Sequence, residues 1–389
     1  MDDGDQWRPE TLAAQALGWI DESTKAVVPS IHLATTYLRD PDNRYRSGRA
    51  YGRADNPSFD QPEALLARLE GGAAALAFAS GMAAATTVFL ALAPGDHVVA
   101  PKVMYWALRR WLTGTARGWG LAVDIVDMTD LAALTQAMRP GRTRLVWIET
   151  PANPTWAVTD IAAAAAIAHD AGALLAVDST VATPMLTRPI ALGADLVMHS
   201  ATKYLNGHSD VIAGALVTAR ADAFWQRIVD LRSSNGAILG PVEAWLLLRG
   251  MRTLPLRVQQ ACRSAAAIAA HFQRDPRIRS VLYPGLADAP GHAVAARQMQ
   301  GGFGGMLSLC IAAGEMAAIA AAARVRLWKR ATSLGGVESL IEHPGIMTHA
   351  SLPEATRRTL GISDGLIRLS VGVEDVQDLI GELEQALAP

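Results

Sequence analysis

The chain has 389 residues, a formal net charge of −2 and a composition in which half the residues are apolar. That is ample to bury a large core and too long for one compact domain, so two domains are expected. No Lys/Arg run supplies the electrostatic footprint of a nucleic-acid or anionic-membrane binder, which leaves a small molecule as the expected partner.

The chain opens Met1-Asp2-Asp3-Gly4-Asp5, acidic where a signal peptide would be basic, and no short apolar core follows. Only two cysteines occur, Cys262 and Cys310, in unrelated contexts; neither a disulfide framework nor a metal knuckle is indicated, and a cytoplasmic location is expected. The histidines lack metal-ligand spacing, so no metal is assigned. Residues 1–60 are polar, aromatic and punctuated by proline, which predicts an arm that packs on something else.

Gly71 to Gly95 carries no charge and is long enough to span a bilayer, but it is mostly Ala and Gly and ends at Pro94-Gly95. It reads as a strand, a turn at Ser80-Gly81 and a buried helix. Apolar strand-like runs follow at His97–Ala100, Leu145–Ile148, Leu174–Val177, Leu196–His199 and Ile212–Thr218, separated by Ala-rich stretches such as Asp160–Ala171. Strands apolar on both faces and alternating with helices predict an α/β domain over 61–250, with a mostly parallel sheet sandwiched by helices. A long helix from Gly250 to about Ala270 then leads into a smaller α/β C-terminal domain over 251–389, with strands near Ser280–Tyr283, Gly305–Ile311 and Leu366–Ser370.

In Ala194–His208 an apolar strand delivers Ser200, Thr202 and Lys203 into a Gly-containing turn, at the end of a parallel strand where such sheets bind ligands. Taken alone, this could be a surface lysine after a capping serine. A second strand end, Leu174-Leu-Ala-Val-Asp178, adds a carboxylate that would be costly to leave unpaired in a desolvated crevice and well used against a protonated pyridine nitrogen.

Together, Glu149-Thr-Pro-Ala-Asn-Pro154, Val177-Asp178, His199-Ser-Ala-Thr-Lys-Tyr-Leu-Asn-Gly-His208 and Arg368-Leu-Ser-Val-Gly-Val-Glu374 resemble the Cys/Met-metabolism (trans-sulfuration) family of pyridoxal-phosphate enzymes. The resemblance runs from about Ala34 to Leu387. It implies fold-type I, the aspartate-aminotransferase-like architecture, and pyridoxal 5′-phosphate carried as a Schiff base on Lys203. By the same resemblance Asp178 partners the pyridine nitrogen, Ser80, Gly81, Met82, Ser200 and Thr202 hold the phosphate, and Tyr105 stacks on the ring and protonates a leaving group. Asn153 lies near the phenolic oxygen and the substrate carboxylate, Ser333 orients Lys203 or that carboxylate, and Arg368 clamps it. Tyr51-Gly-Arg53-Ala-Asp-Asn-Pro57 resembles the element that donates Tyr51 and Arg53 to the neighbouring subunit's phosphate, which implies an obligate dimer assembling to a tetramer. Read alone, the same residues could be a surface turn on Asn56-Pro57.

The expected reaction is elimination of a β- or γ-substituent, through a C–S or C–O bond, from a sulfur-containing or homoserine-type amino acid. A γ-replacing synthase is the alternative, and a catalytically silent cofactor-binding protein on the same fold is an alternative of another class. Two departures bear on the choice. Trp106-Ala-Leu108 follows Tyr105 where many members have smaller residues, and Thr332 stands where cystathionine γ-enzymes often carry Glu before Ser-Leu-Gly-Gly.

Overall fold

The computed structural model describes residues 7–348, 350 and 354–388, so the acidic start of the chain lies outside the described residues. Among the described residues twelve strands fall into two sheets. The first is seven-stranded and uses β1 (Ala74–Phe78), β2 (His97–Pro101), β3 (Ala122–Val126), β4 (Thr143–Glu149), β5 (Leu174–Asp178), β6 (Leu196–His199) and β7 (Gly214–Thr218), in the order β1-β7-β6-β5-β4-β2-β3. Strands β2 to β6 are mutually parallel, whereas β7 runs antiparallel to both its neighbours.

Two-sided burial explains the near-continuous apolar runs. Val98, Ala100, Leu145, Trp147 and Ala176 pack with the helix Gly81–Leu90, while the alternating residues Val99, Val146, Ile148, Leu175 and Val177 pack with the helix Ile161–Asp170. Local chemistry starts these helices where a capping residue stands. Asp160 Oδ1 accepts from the Ala163 N–H at 3.2 Å, and Ser80 Oγ accepts from the Ala83 N–H at 3.0 Å. Asn56 does the same for the Ser58 N–H at 2.8 Å, with Pro57 at the first helical position, so Asn56-Pro57 opens the helix Pro57–Glu70.

The second sheet joins β8 (Ile278–Leu282), β9 (Met306–Ile311), β10 (Lys329–Arg330), β11 (Leu340–Glu342) and β12 (Leu366–Ser370) in the order β10-β11-β12-β9-β8, antiparallel except for β10 with β11. It packs against the helices Leu254–Phe272, Glu315–Arg324 and Val376–Ala386 through a core that includes Phe272, Leu309, Trp328 and Leu369.

Three local expectations shift. The helix expected from Gly250 is two helices, Pro241–Met251 and Leu254–Phe272, with the break at Arg252-Thr253. The strand expected from Ile212 begins at Gly214, because Gly214 lies so close to the Ser80 carbonyl that a Cβ there would stand 2.1 Å from it, while Ile212 is exposed. Within 1–60 a short helix, Pro9–Gln15, buries Leu12 and Ala13 against this chain's own core, and the exposed apolar side chains Val27, Ile31, Leu33, Leu38 and Tyr51 lie beyond it. Among the described residues no helix is long and apolar enough to cross a membrane.

Trp147 is fully buried, with its ring 5.1 Å from that of Phe89 and its indole N–H without a partner. Trp147→Ala is expected to destabilise the cofactor-free protein by about 3–5 kcal/mol. Trp147→Phe should lose much less, because it keeps the ring contact and deletes the orphaned donor. Denaturant midpoints of the two variants check this.

Candidate active site

The carboxyl ends of β4, β5 and β6 place Glu149, Asp178 and His199 side by side, and the turn after β6 carries Ser200, Thr202 and Lys203. His199 and Glu70 are both fully buried and meet at 2.6 Å, which ties the end of β6 to the helix Pro57–Glu70. Arg257 holds the turn from the other side: its guanidinium donates to the carbonyls of Tyr204 at 2.7 Å, Leu205 at 3.3 Å and Gly250 at 2.7 Å. Gly207, at φ +74°, lets this happen, since a Cβ there would stand 1.9 Å from the guanidinium.

Lys203 Nζ donates to Ser333 Oγ at 2.6 Å. Burial, and then the positive charge of Arg368, push the amine down to about 8, against the opposing pull of the Glu342 carboxylate. Asp178 Oδ1 accepts from the Thr180 N–H at 3.0 Å and the Thr180 hydroxyl at 2.6 Å; burial nonetheless raises its carboxyl above the usual range. Glu149, its cross-strand neighbour, is raised in the same direction by burial and then by Asp178.

Arg368 is almost wholly buried on β12. It pairs with Glu342 of β11 at 2.9 Å, and it donates to the Ser333 carbonyl at 2.5 Å and to Asn153 Oδ1 at 3.4 Å. Ser333 sits at φ +88°, a conformation that L-residues rarely adopt and that the Arg368 contact helps to hold. One polar network thus joins Lys203, Ser333, Arg368, Asn153 and Glu342. Tyr105 stands near it, with its backbone N–H on Glu149 and its ring 44% exposed; partial burial and then Glu149 raise its phenol.

On the opposite side of Lys203, the first turn of the helix Gly81–Leu90 abuts Ser200. A Cβ on Gly81 would stand 2.9 Å from Ser200 Oγ, so only glycine leaves that approach open. Ser80 caps Ala83, which leaves the N–H groups of Gly81 and Met82 without an intrahelical acceptor. The Thr202 hydroxyl is engaged with the Ala213 backbone, donating to its carbonyl and accepting from its N–H, both at 3.0 Å. Tyr51 and Arg53 are not drawn into this network. Both are exposed and contact each other, with the Arg53 guanidinium 5.4 Å from the Tyr51 ring centre.

The family model described as Cys/Met metabolism PLP-dependent enzyme matches residues 10–388. The chain belongs to that family. It is 46% identical to the cystathionine gamma-synthase of Mycobacterium tuberculosis over 97% of this chain and 96% of that one. It is 43% identical to the cystathionine gamma-lyase of Bacillus subtilis, over 94% and 96%. Among solved structures, cystathionine gamma-synthase from Xanthomonas oryzae superposes with a TM-score of 0.93 at 40% identity, covering 98% of each chain. The protein called metB from Corynebacterium glutamicum does so at 0.94 and 38%, covering 99% of each.

The cofactor of this Cys/Met-metabolism enzyme is pyridoxal 5′-phosphate, and the architecture is fold-type I. The residues present fit that group. The opening between Gly81 and Ser200 would be filled by a Cβ, the helix turn beside it offers N–H groups to an anion, and a buried carboxylate and a buried amine stand at neighbouring strand ends. Three residues that shape the site carry no sequence signal of their role. Glu149 was visible in its motif but without a role, Arg257 and Glu342 gave no local signal, and Glu342 is found only through its register opposite Arg368.

The depressed amine has a direct readout. Acetylation of Lys203 in cofactor-free protein, followed by peptide mass spectrometry, should rise with pH through a midpoint near 8, against about 10.4 for a free lysine. Glu342→Gln removes the charge that favours the ammonium and should move that midpoint down, whereas Arg368→Gln should move it up.

Proposed function

We propose that this pyridoxal-phosphate enzyme removes a β- or γ-substituent, through a C–S or C–O bond, from a sulfur-containing or homoserine-type amino acid, with Lys203 as cofactor-bearing and proton-moving group. The observation that carries it is a partly buried lysine amine, held 2.6 Å from Ser333 and depressed to about 8, in the network that contains Arg368. An amine near neutrality is uncharged often enough to act as a nucleophile and a base at working pH.

When bound, pyridoxal phosphate supplies the electron sink for charge developing at the substrate Cα. The chain's own residues do the rest. Asp178 would partner the pyridine nitrogen and favour its protonation, and the Ser200 hydroxyl with the N–H groups of Gly81 and Met82 would hold the phosphate. Arg368 binds the α-carboxylate together with Asn153, which fixes the direction of the Cα–H bond; Lys203 then takes that proton. Loss of a γ-substituent needs a second proton removed from Cβ, and Tyr105, partly exposed beside Glu149, returns a proton to the leaving group. Thr202, already bonded to Ala213, serves the phosphate by shaping the turn or by exchanging that bond.

Tyr51 and Arg53, solvent-facing in this chain, complete the phosphate site of a neighbouring subunit. That sharing, with the exposed apolar residues of the arm, supports an obligate dimer that pairs into a tetramer. The three segments 1–60, 61–250 and 251–389 then act as arm, cofactor domain and C-terminal domain, in the cytoplasm.

Replacement at Cγ is a second reading with its own support, the 46% identity to cystathionine gamma-synthase over nearly the whole chain. The same proton transfers serve both outcomes; entry of a thiol after the leaving group departs makes the difference. Holoenzyme given cystathionine, methionine, homocysteine, O-acylhomoserines and canavanine should release 2-oxo acid and ammonia if elimination is its work. Formation of cystathionine from an O-acylhomoserine and cysteine, without 2-oxo acid, selects replacement instead.

Lys203→Ala should abolish turnover and the visible absorbance of the loaded protein. Subunits carrying Arg53→Ala mixed with subunits carrying Lys203→Ala should regain activity that neither has alone. Absence of recovery in demonstrably mixed oligomers refutes the shared site.

A further inference from the structure

Glu149 is buried at the end of β4, and both of its carboxylate oxygens are in use. Oε2 accepts from the Tyr105 N–H at 2.7 Å and Oε1 from the Asn153 N–H at 3.1 Å. These two residues lie 48 positions apart, on separate loops: Tyr105 between β2 and the helix Trp106–Trp111, Asn153 between β4 and the helix Ile161–Asp170. The Tyr105 side chain makes no capping bond of its own to that helix, and its ring is 44% exposed, so Glu149 supplies a tertiary anchor for its backbone.

We infer that Glu149 is a positioning residue for the reaction, tying Tyr105 and Asn153 to one point so that phenol and amide meet cofactor and substrate in fixed relation. The inference rests on the function proposed above. An acid is an expensive choice here, because Asp178 is its paired neighbour on β5 and two buried carboxylates repel. Folding alone does not call for that cost. What Glu149 offers is two oxygens that each accept from one N–H, so that a single side chain satisfies both groups; a glutamine has one acceptor and would turn an NH2 toward the other.

Two consequences separate this role from a structural one. Glu149→Gln removes an ionisable group that burial and Asp178 disfavour while breaking one of the two anchors. The melting temperature of the cofactor-free variant should therefore fall by no more than a few degrees. In the holoenzyme kcat should fall roughly tenfold or more with KM changed much less, since small misplacements near reacting atoms carry large rate costs. The visible circular dichroism per bound cofactor should fall with it, because that signal reports the asymmetry of groups around the ring. Glu149→Asp, an acid that is one methylene short, should recover part of both signals.

Wild-type kcat and wild-type dichroism per bound cofactor in Glu149→Gln would overturn the inference, as would a kcat loss matched by an equal loss of folded protein. Should the variant not fold, amide exchange on the wild-type protein decides. The Tyr105 and Asn153 N–H groups should exchange far more slowly than their loop neighbours, and unprotected rates at both would overturn it. If wild-type protein with added pyridoxal phosphate shows no visible band, it is the functional reading that fails, whereas a normal wild-type band with an unaltered variant sinks the Glu149 role alone.

Discussion

Charge taken out of water is the constraint around which this site is organised. Lys203, Arg368, Glu342, Asp178, Glu149, His199 and Glu70 are all substantially buried, and an isolated ion there costs several kcal/mol even after the protein relaxes. Each therefore stands with a partner: Arg368 with Glu342 at 2.9 Å, His199 with Glu70 at 2.6 Å, Lys203 with Ser333 at 2.6 Å, Asp178 with Thr180, and Glu149 with two backbone N–H groups. Those pairings fix which way each side chain faces. Burial, and then the charge of Arg368, lower the Lys203 amine to about 8.

The seven-stranded sheet supplies the strand ends, and the second sheet supplies the Arg368–Glu342 pair that faces them. The join is made by named contacts and not by proximity alone. Ser308 of β9 accepts from the Trp156 indole N–H at 2.9 Å and donates to the Pro154 carbonyl at 2.9 Å, so the loop carrying Asn153 is fastened to the sheet carrying Arg368. Asn153 and Arg368 then meet at 3.4 Å. Anything that loosens this seam moves Arg368 relative to the lysine.

Relatives named as cystathionine gamma-synthase and as cystathionine gamma-lyase match this chain at 46% and 43% identity over nearly its whole length. A shared fold therefore does not by itself separate replacement from elimination. The departures from common family patterns stand beside the buried network in sequence: Trp106 follows Tyr105 and Thr332 precedes Ser333.

Local chemistry is written in neighbouring residues, and that much the chain declares unaided. Strands apolar on both faces announce a covered parallel sheet, Ser80, Asn56 and Asp160 announce helix starts, and Lys203 and Asp178 announce themselves by standing where apolar runs end. What remained hidden has no local period to reveal it. Strand β11 is three residues long, Glu342 acquires meaning only opposite Arg368, Arg257 only by reaching three carbonyls around the lysine turn, and Glu149 only by joining two loops. Partners distant in sequence are selected by burial, because a polar group removed from water must find whatever complementary atom the folded chain brings within reach, and only the tertiary structure decides which atom that is.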